Sequence, residues 1–278
     1  MQLPPLALPA WAKSTNPIVR RHLGLYWRTL PPEVGPLLSW NIVWGVAFLL
    51  VGLWPALQDT LLILLILSFI ALPLTLLGYG HILLTIARDS AQAMHGEIRN
   101  KTLPLLVVSP ISSHHILLGK VAAACWRRMD DWLIVSYAVV ITSPPALFAM
   151  YNAVWPAQSQ LWALIAATIL GSLLVTLRLL IEPLMVGALG VLLGTLLPYR
   201  ATAVSLAAAS SAAIFALLWW LRQWPAVRGV VQRGQVIVPP DVGLAALAEF
   251  ALPVLVPLLV ALLALTLAER QMRRCAAT

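Results

Sequence analysis

Arg178 and Glu182 are the two charged residues inside the long apolar run Leu161–Leu197, and they stand four positions apart. A helix with that spacing puts both on one face, where guanidinium and carboxylate can pair. Charges at such depth commonly face a bundle interior or a water-filled path. The stronger reading is a structural pair that fixes helix packing at Pro183; the alternative is a substrate-path role. The histidines are His22, His81, His95, His114 and His115, and none falls in a metal-binding spacing such as HExxH. His114 and His115 would point about 100° apart on a helix and chelate poorly, so they read as a solvated interfacial pair. His81 reads as a hydrogen-bonded packing residue rather than a proton relay. Gly119-Lys120 is not a P-loop: that motif needs glycine where His114 stands and Ser or Thr where Val121 stands. No catalytic residues and no metal site are expected, and the chain reads as lacking its own ATPase.

The elements that carry these residues are read from composition. Of 278 residues, 61% are hydrophobic and only 10% charged, against about 25% charged in soluble domains, so lipid is the expected solvent. The length holds about six spans of roughly 20 residues and leaves no room for an additional ATP-hydrolysing domain of ordinary size. The net charge of +8 reflects basic residues gathered on one membrane face rather than a nucleic-acid surface. Cys125 and Cys275 fall on or near the predicted cytoplasmic side and read as free thiols. No signal peptide is visible at the start, where prolines interrupt the short apolar run.

In chain order, residues 1–36 form a cytoplasmic tail. Asn16-Pro17 opens an interfacial helix with Ile18, Leu23, Leu25, Tyr26 and Leu30 on one side, stopped by Pro31-Pro32. Residues 37–268 form an all-α membrane domain of six helices. The spans expected are Leu37–Trp54, Thr60–Ala87 (open to kinking at Pro73 and Gly78), Trp132–Met150, Leu161–Leu197, Ala201–Leu221 and Phe250–Ala268. Pro144-Pro145 marks the outer end of the third span or a break near it. The fourth run would be roughly 55 Å long as a helix. It is either one crossing kinked at Pro183 or two short segments meeting there, and an even span count favours one crossing. The fifth span is rich in Ala and Ser, which lets neighbours approach closely. Residues 222–249 form a polar loop whose VVQRGQVIV stretch is strand-like or partly re-entrant; residues 269–278 are a second cytoplasmic tail. Trp40, Trp54, Trp132, Trp155, Trp219, Trp220 and Trp224 fall near span ends, as an aromatic belt does.

With six spans and both termini cytoplasmic, 14 of the 18 Lys and Arg residues lie on the inner face and three, Arg222, Arg228 and Arg233, on the outer. The longest polar interruption, residues 88–120, is then cytoplasmic. It carries mixed charges, an apolar run broken by Pro104, a turn at Ser109-Pro110, and a helix start capped by Ser112 or Ser113.

This segment resembles one found in the permease subunits of ABC transporters of the ABC-2 type. In that family the second span is followed by an acidic residue, Thr-Leu, an apolar run, a Ser/Thr-Pro-Leu/Ile-Ser turn and an Ile-Leu-x-Gly-Lys lead into the third span. Here these positions are Glu97, Thr102-Leu103, Leu105–Val108, Ser109-Pro110-Ile111-Ser112 and Ile116-Leu117-Leu118-Gly119-Lys120. Asn16-Pro17 followed by Arg20-Arg21 is similar to the family's interfacial-helix start, and Gly187–Leu197 to its small-residue-rich fourth-span end. The chain departs from the pattern at Lys101, where glycine is common, and at Pro104, where an acidic residue often follows.

The resemblance implies a six-helix permease subunit in a plasma (inner) membrane of prokaryotic type. It implies pairing with a second permease subunit, identical or not, among membrane lipids and without nucleic acid. It also implies docking of a separate ABC ATP-binding subunit through the cytoplasmic coupling element, with Glu97, Arg99, Thr102, Leu103, Ser109, Pro110, Ser112, Gly119 and Lys120 as the residues concerned. This chain would bind no cofactor; ATP and magnesium would sit on the partner. The competing expectation is an accessory subunit that keeps the fold as a scaffold in a larger membrane complex and transports nothing.

Overall fold

The computed structural model describes residues 11, 13, 16–23, 35–54, 57–102, 106, 111–152, 155, 157–222, 230–232, 235–238 and 247–277. Among these are eight α-helices: α1 Pro17–Leu23, α2 Gly35–Leu53, α3 Gln58–Arg99, α4 Ser113–Arg127, α5 Met129–Asn152, α6 Ala157–Leu196, α7 Arg200–Arg222 and α8 Leu252–Ala277. Six of them, α2, α3, α5, α6, α7 and α8, are long and apolar enough to cross a membrane. The chain is a multi-pass helical membrane protein, and the expected spans fall on those six helices. The spans also reach further than hydropathy suggests. Helix α3 continues through Arg99, and α8 continues to Ala277, so residues 269–277 are helical and continuous with the last span.

The undecided stretch of the polar loop is strand-like. Val230–Gln232 and Gln235–Val238 pair antiparallel as β1 and β2, with Gln232 opposite Gln235. A single π-helical turn, Leu247–Ala251, then leads into α8.

The prolines of the third and fourth spans lie inside helices. Pro144 and Pro145 lie inside α5, which runs on to Asn152, so they mark neither its end nor a break. Pro183 lies inside α6, whose one non-helical residue is Gln160, with φ −136° and ψ 40°. A proline deprives the carbonyl four residues earlier of its helical donor. For Pro183 that carbonyl belongs to Leu179, and the indole Nε1 of Trp132 on α5 donates to it at 3.2 Å. A freed backbone acceptor inside a membrane needs such a substitute, and with it the fourth span stays a single helix. Trp132 is therefore buried between helices rather than part of an aromatic belt, whereas Trp54, Trp219 and Trp220 are exposed as a belt requires. Trp224 lies outside the described residues.

Helix α6 runs through the middle of the bundle. Buried residues of α3, α4, α5, α7 and α8 join those of α6 in one apolar cluster. On its α2 side, Asn41 donates Nδ2 to Thr176 Oγ1 at 2.8 Å and to the Leu37 carbonyl at 2.9 Å, a polar cross-link buried in the apolar layer. On its α3 side the contact is closest. A Cβ on Gly190 would stand 2.5 Å from the Ala87 carbonyl oxygen, and one on Gly194 would stand 2.6 Å from that of Ala91. The small-residue end of the fourth span is thus where two helix backbones touch, and it fixes the C-terminal half of α3.

Candidate functional site

Two places in the fold gather polar side chains from several helices. The first is the junction of α1, α3 and α4. Asn16 caps α1, its Oδ1 accepting from the Ile18 amide at 2.9 Å. Pro17 takes the first helical position, as expected. Ile18 and Val19 are buried against α4: Ile18 lies over Gly119, where a Cβ would come within 3.1 Å of it, and Val19 packs on Ala122, Ala123 and Trp126. Leu25, Tyr26 and Leu30, expected on the same helix, lie outside the described residues.

At the end of α3 the chain folds back sharply. The Thr102 amide donates to the Glu97 carbonyl at 3.1 Å, and the Thr102 hydroxyl donates to a Glu97 carboxylate oxygen, Oε2. The reversal puts Lys101 at φ 53°, the left-handed region that a non-glycine residue adopts at a cost of about 1–2 kcal/mol. A family pattern with glycine at this position is intelligible on that ground. Lys101→Gly is therefore expected to raise stability by about 1 kcal/mol, read as a higher Tm of the detergent-solubilised protein.

Glu97 is buried. Besides Thr102 it accepts from Lys120 Nζ on α4 at 3.1 Å, and Arg21 of α1 approaches at 3.9 Å. Lys120 is 1% exposed and also donates to the Ala93 carbonyl at 3.4 Å. Burial pulls its ammonium down to about 8, with the Glu97 carboxylate acting against that shift. Ser112 caps α4, its Oγ accepting from the His115 amide at 3.4 Å and lying 2.6 Å from His115 Nδ1, as the expected cap requires. His114 reaches instead to Glu269 of α8 at 4.0 Å.

Of the coupling residues named from the sequence, Glu97, Thr102 and Lys120 form one bonded group, Gly119 seats α1, and Ser112 starts α4. Arg99 is exposed beside them. Leu103, Ser109 and Pro110 lie outside the described residues, as does Pro104. The group holds both ends of the 103–110 connection, so Glu97 and Lys120 are positioning residues rather than an exposed charged surface. Arg21 belongs to the same group and was not paired with Glu97 from the sequence. The available signal was Lys120 itself, a charge among small apolar residues that burial would oblige to find a partner.

The second place is a cleft of about 910 Å³ bounded by α3, α5, α6, α7 and the π-helical turn. Its polar wall holds the expected pair: Arg178 Nε and one terminal nitrogen each stand 2.8 Å from Glu182 Oε1. Tyr79 is enclosed beside Glu182, and Ser143 of α5 lines the cleft elsewhere. Neither was singled out from the sequence, because a Tyr or Ser within an apolar helix carries no local sign of what it faces. His81 and Glu249 also line the cleft. Among the described residues, no three His, Cys, Asp or Glu side chains come together as a metal set.

Compared with family models, with curated proteins and with solved structures, the chain finds no match.

Proposed function

We propose that this protein is the membrane-spanning permease subunit of an ABC-2 type exporter. It would couple ATP hydrolysis on a separate ATP-binding subunit to substrate movement across a plasma membrane of prokaryotic type, with both termini cytoplasmic. The observation that carries the reading is the tie between the ends of the 103–110 connection. Glu97, at the end of the second span, is bonded to Lys120 at the entry to the third, and both lie at the ordered motifs that resemble that family. A push on this connection would reach α3 and α4 through buried bonds rather than through loose chain. Closure of the partner ATPases would act on it, and a bundle with two packing arrangements would convert that movement into alternating access. A second permease subunit would complete the pathway.

Purification of the full chain from its native membrane in mild detergent tests the reading. A stoichiometric P-loop ATPase is expected to co-purify, and Arg99→Glu, which alters an exposed charge beside the connection, is expected to lower its stimulation severalfold. Stable association with unrelated membrane proteins and no ATPase would replace the transporter reading with the scaffold. Unchanged stimulation by the Arg99→Glu assembly would remove Arg99 from the coupling surface.

A further inference from the structure

The cleft sets the Arg178–Glu182 pair in a lining that is otherwise mostly apolar. Arg178 spends two nitrogens on a single oxygen of Glu182, leaving the other guanidinium nitrogen as a donor. Toward the outside the lining changes to Leu76 and Leu77 of α3, which are 49% and 72% exposed. On a membrane helix such exposure faces acyl chains, so the cleft opens sideways into the bilayer. Its volume lies at the upper end of the ~300–1,000 Å³ range of ligand sites.

We infer that this cleft binds a bilayer phospholipid with a zwitterionic head, laid in from the side with its acyl chain along Leu76 and Leu77. The head's phosphate takes the outer edge of Arg178, and its ammonium lies toward Glu182. Charge decides the class of head. The Arg178–Glu182 pair is neutral as a unit, so an ion of either sign would add an uncompensated charge in a low-dielectric site. A zwitterion adds none and matches the pair's own charge separation. A bilayer lipid is the occupant because the leucine-lined mouth is continuous with the lipid-facing surface of α3.

The inference goes beyond the transporter reading and does not need it, since binding can be measured on this chain without any ATPase. The full-length protein, purified in a maltoside detergent, is titrated with radiolabelled lysophosphatidylethanolamine. Lysophosphatidylglycerol, monoacylglycerol and an alkyltrimethylammonium serve as competitors. Saturable one-to-one binding is expected, with each competitor weaker by about tenfold or more. Ala146→Trp, which fills the cleft from α5, is expected to abolish binding, and this protein should stay monodisperse with an unchanged Tm. The double change Arg178→Gln with Glu182→Gln should erase the preference over monoacylglycerol, a specificity readout that a purely structural pair would leave untouched. Absence of saturable binding, equal competition by the anionic or uncharged amphiphile, or wild-type affinity in a folded Ala146→Trp protein would each overturn the assignment.

Discussion

Lys120→Met is expected to destabilise the protein by about 3 kcal/mol, the lower part of the range for removing one member of a buried ion pair. The substitution keeps most of the side chain's volume, so the loss comes from Glu97, which stays buried after its 3.1 Å partner is gone. Arg21 holds the effect to the lower part of that range, because it still stands 3.9 Å from the carboxylate, although it is largely solvated. The double change Glu97→Gln with Lys120→Met should recover more than half of the loss, since it removes both charges together. Thermal denaturation of the four proteins in one detergent yields the coupling between the residues, and additive losses would mean that they do not act as a pair. There is also a pH signature. Folded Lys120 releases its proton near 8, while the unfolded chain keeps it until about 10.5. Across that window the unfolded state binds more protons, so this group's contribution to stability rises with pH. Below about 8 that gain is absent, because both states hold the proton. The Lys120→Met protein should lack the rise.

The residues of that pair show what a sequence does and does not disclose in a membrane bundle. Six spans were legible because the apolar runs are long and the solvent is uniform, and the Ser112 cap because it acts within one turn. Arg178 and Glu182 were legible because helical geometry alone brings positions four apart together. Glu97 and Lys120 each stood out, yet their bond spans two helices and depends on how α4 folds back along α3. The same limit hid the Trp132 bond to Leu179. The proline that frees the carbonyl is visible in the sequence, but the helix that supplies the donor is not. At Pro183 a local rule identifies the lost donor, and a tertiary hydrogen bond replaces it. Lys101 is the converse case: a departure from the resembling family's usual glycine acquires physical meaning once its φ of 53° is known. Tyr79 and Ser143 became candidates only as the wall of a cleft, a property of four helices at once.

Gly190→Leu should be the most damaging apolar change, costing about 3 kcal/mol or more, because its side chain would enter the backbone of α3 rather than a side-chain gap. A single Cβ at this position already meets the Ala87 carbonyl oxygen at 2.5 Å and Ser90 Cβ at 2.9 Å, so neither rotation nor a shifted rotamer relieves it. The comparison with Gly187 separates this mechanism from helix propensity. Both residues lie inside α6, and replacing either by alanine gains up to about 1 kcal/mol of intrinsic helix preference. At Gly187 the nearest obstacle is Val121 Cγ1 at 2.6 Å, a side chain rather than main chain but buried and β-branched, so Gly187→Ala should cost less than Gly190→Ala without being neutral. At Gly190 the obstacle is main chain, so Gly190→Ala should lose roughly 1–3 kcal/mol despite the same propensity gain. Equal Tm values for the two alanine variants would refute close backbone contact as the cause. The position of the contact gives it reach beyond stability. Ala87 and Ala91 lie about two to three turns before Glu97 on the same helix, so forcing α6 and α3 apart moves the helix end that carries Glu97. The Gly190→Ala protein should then show a weakened Glu97–Lys120 pair, measured as a smaller coupling energy in the same double-mutant cycle. A cycle unchanged by Gly190→Ala would mean that the α3–α4 tie is set locally, by the Thr102 reversal and the seat of Ile18 on Gly119, without help from the glycine face of α6.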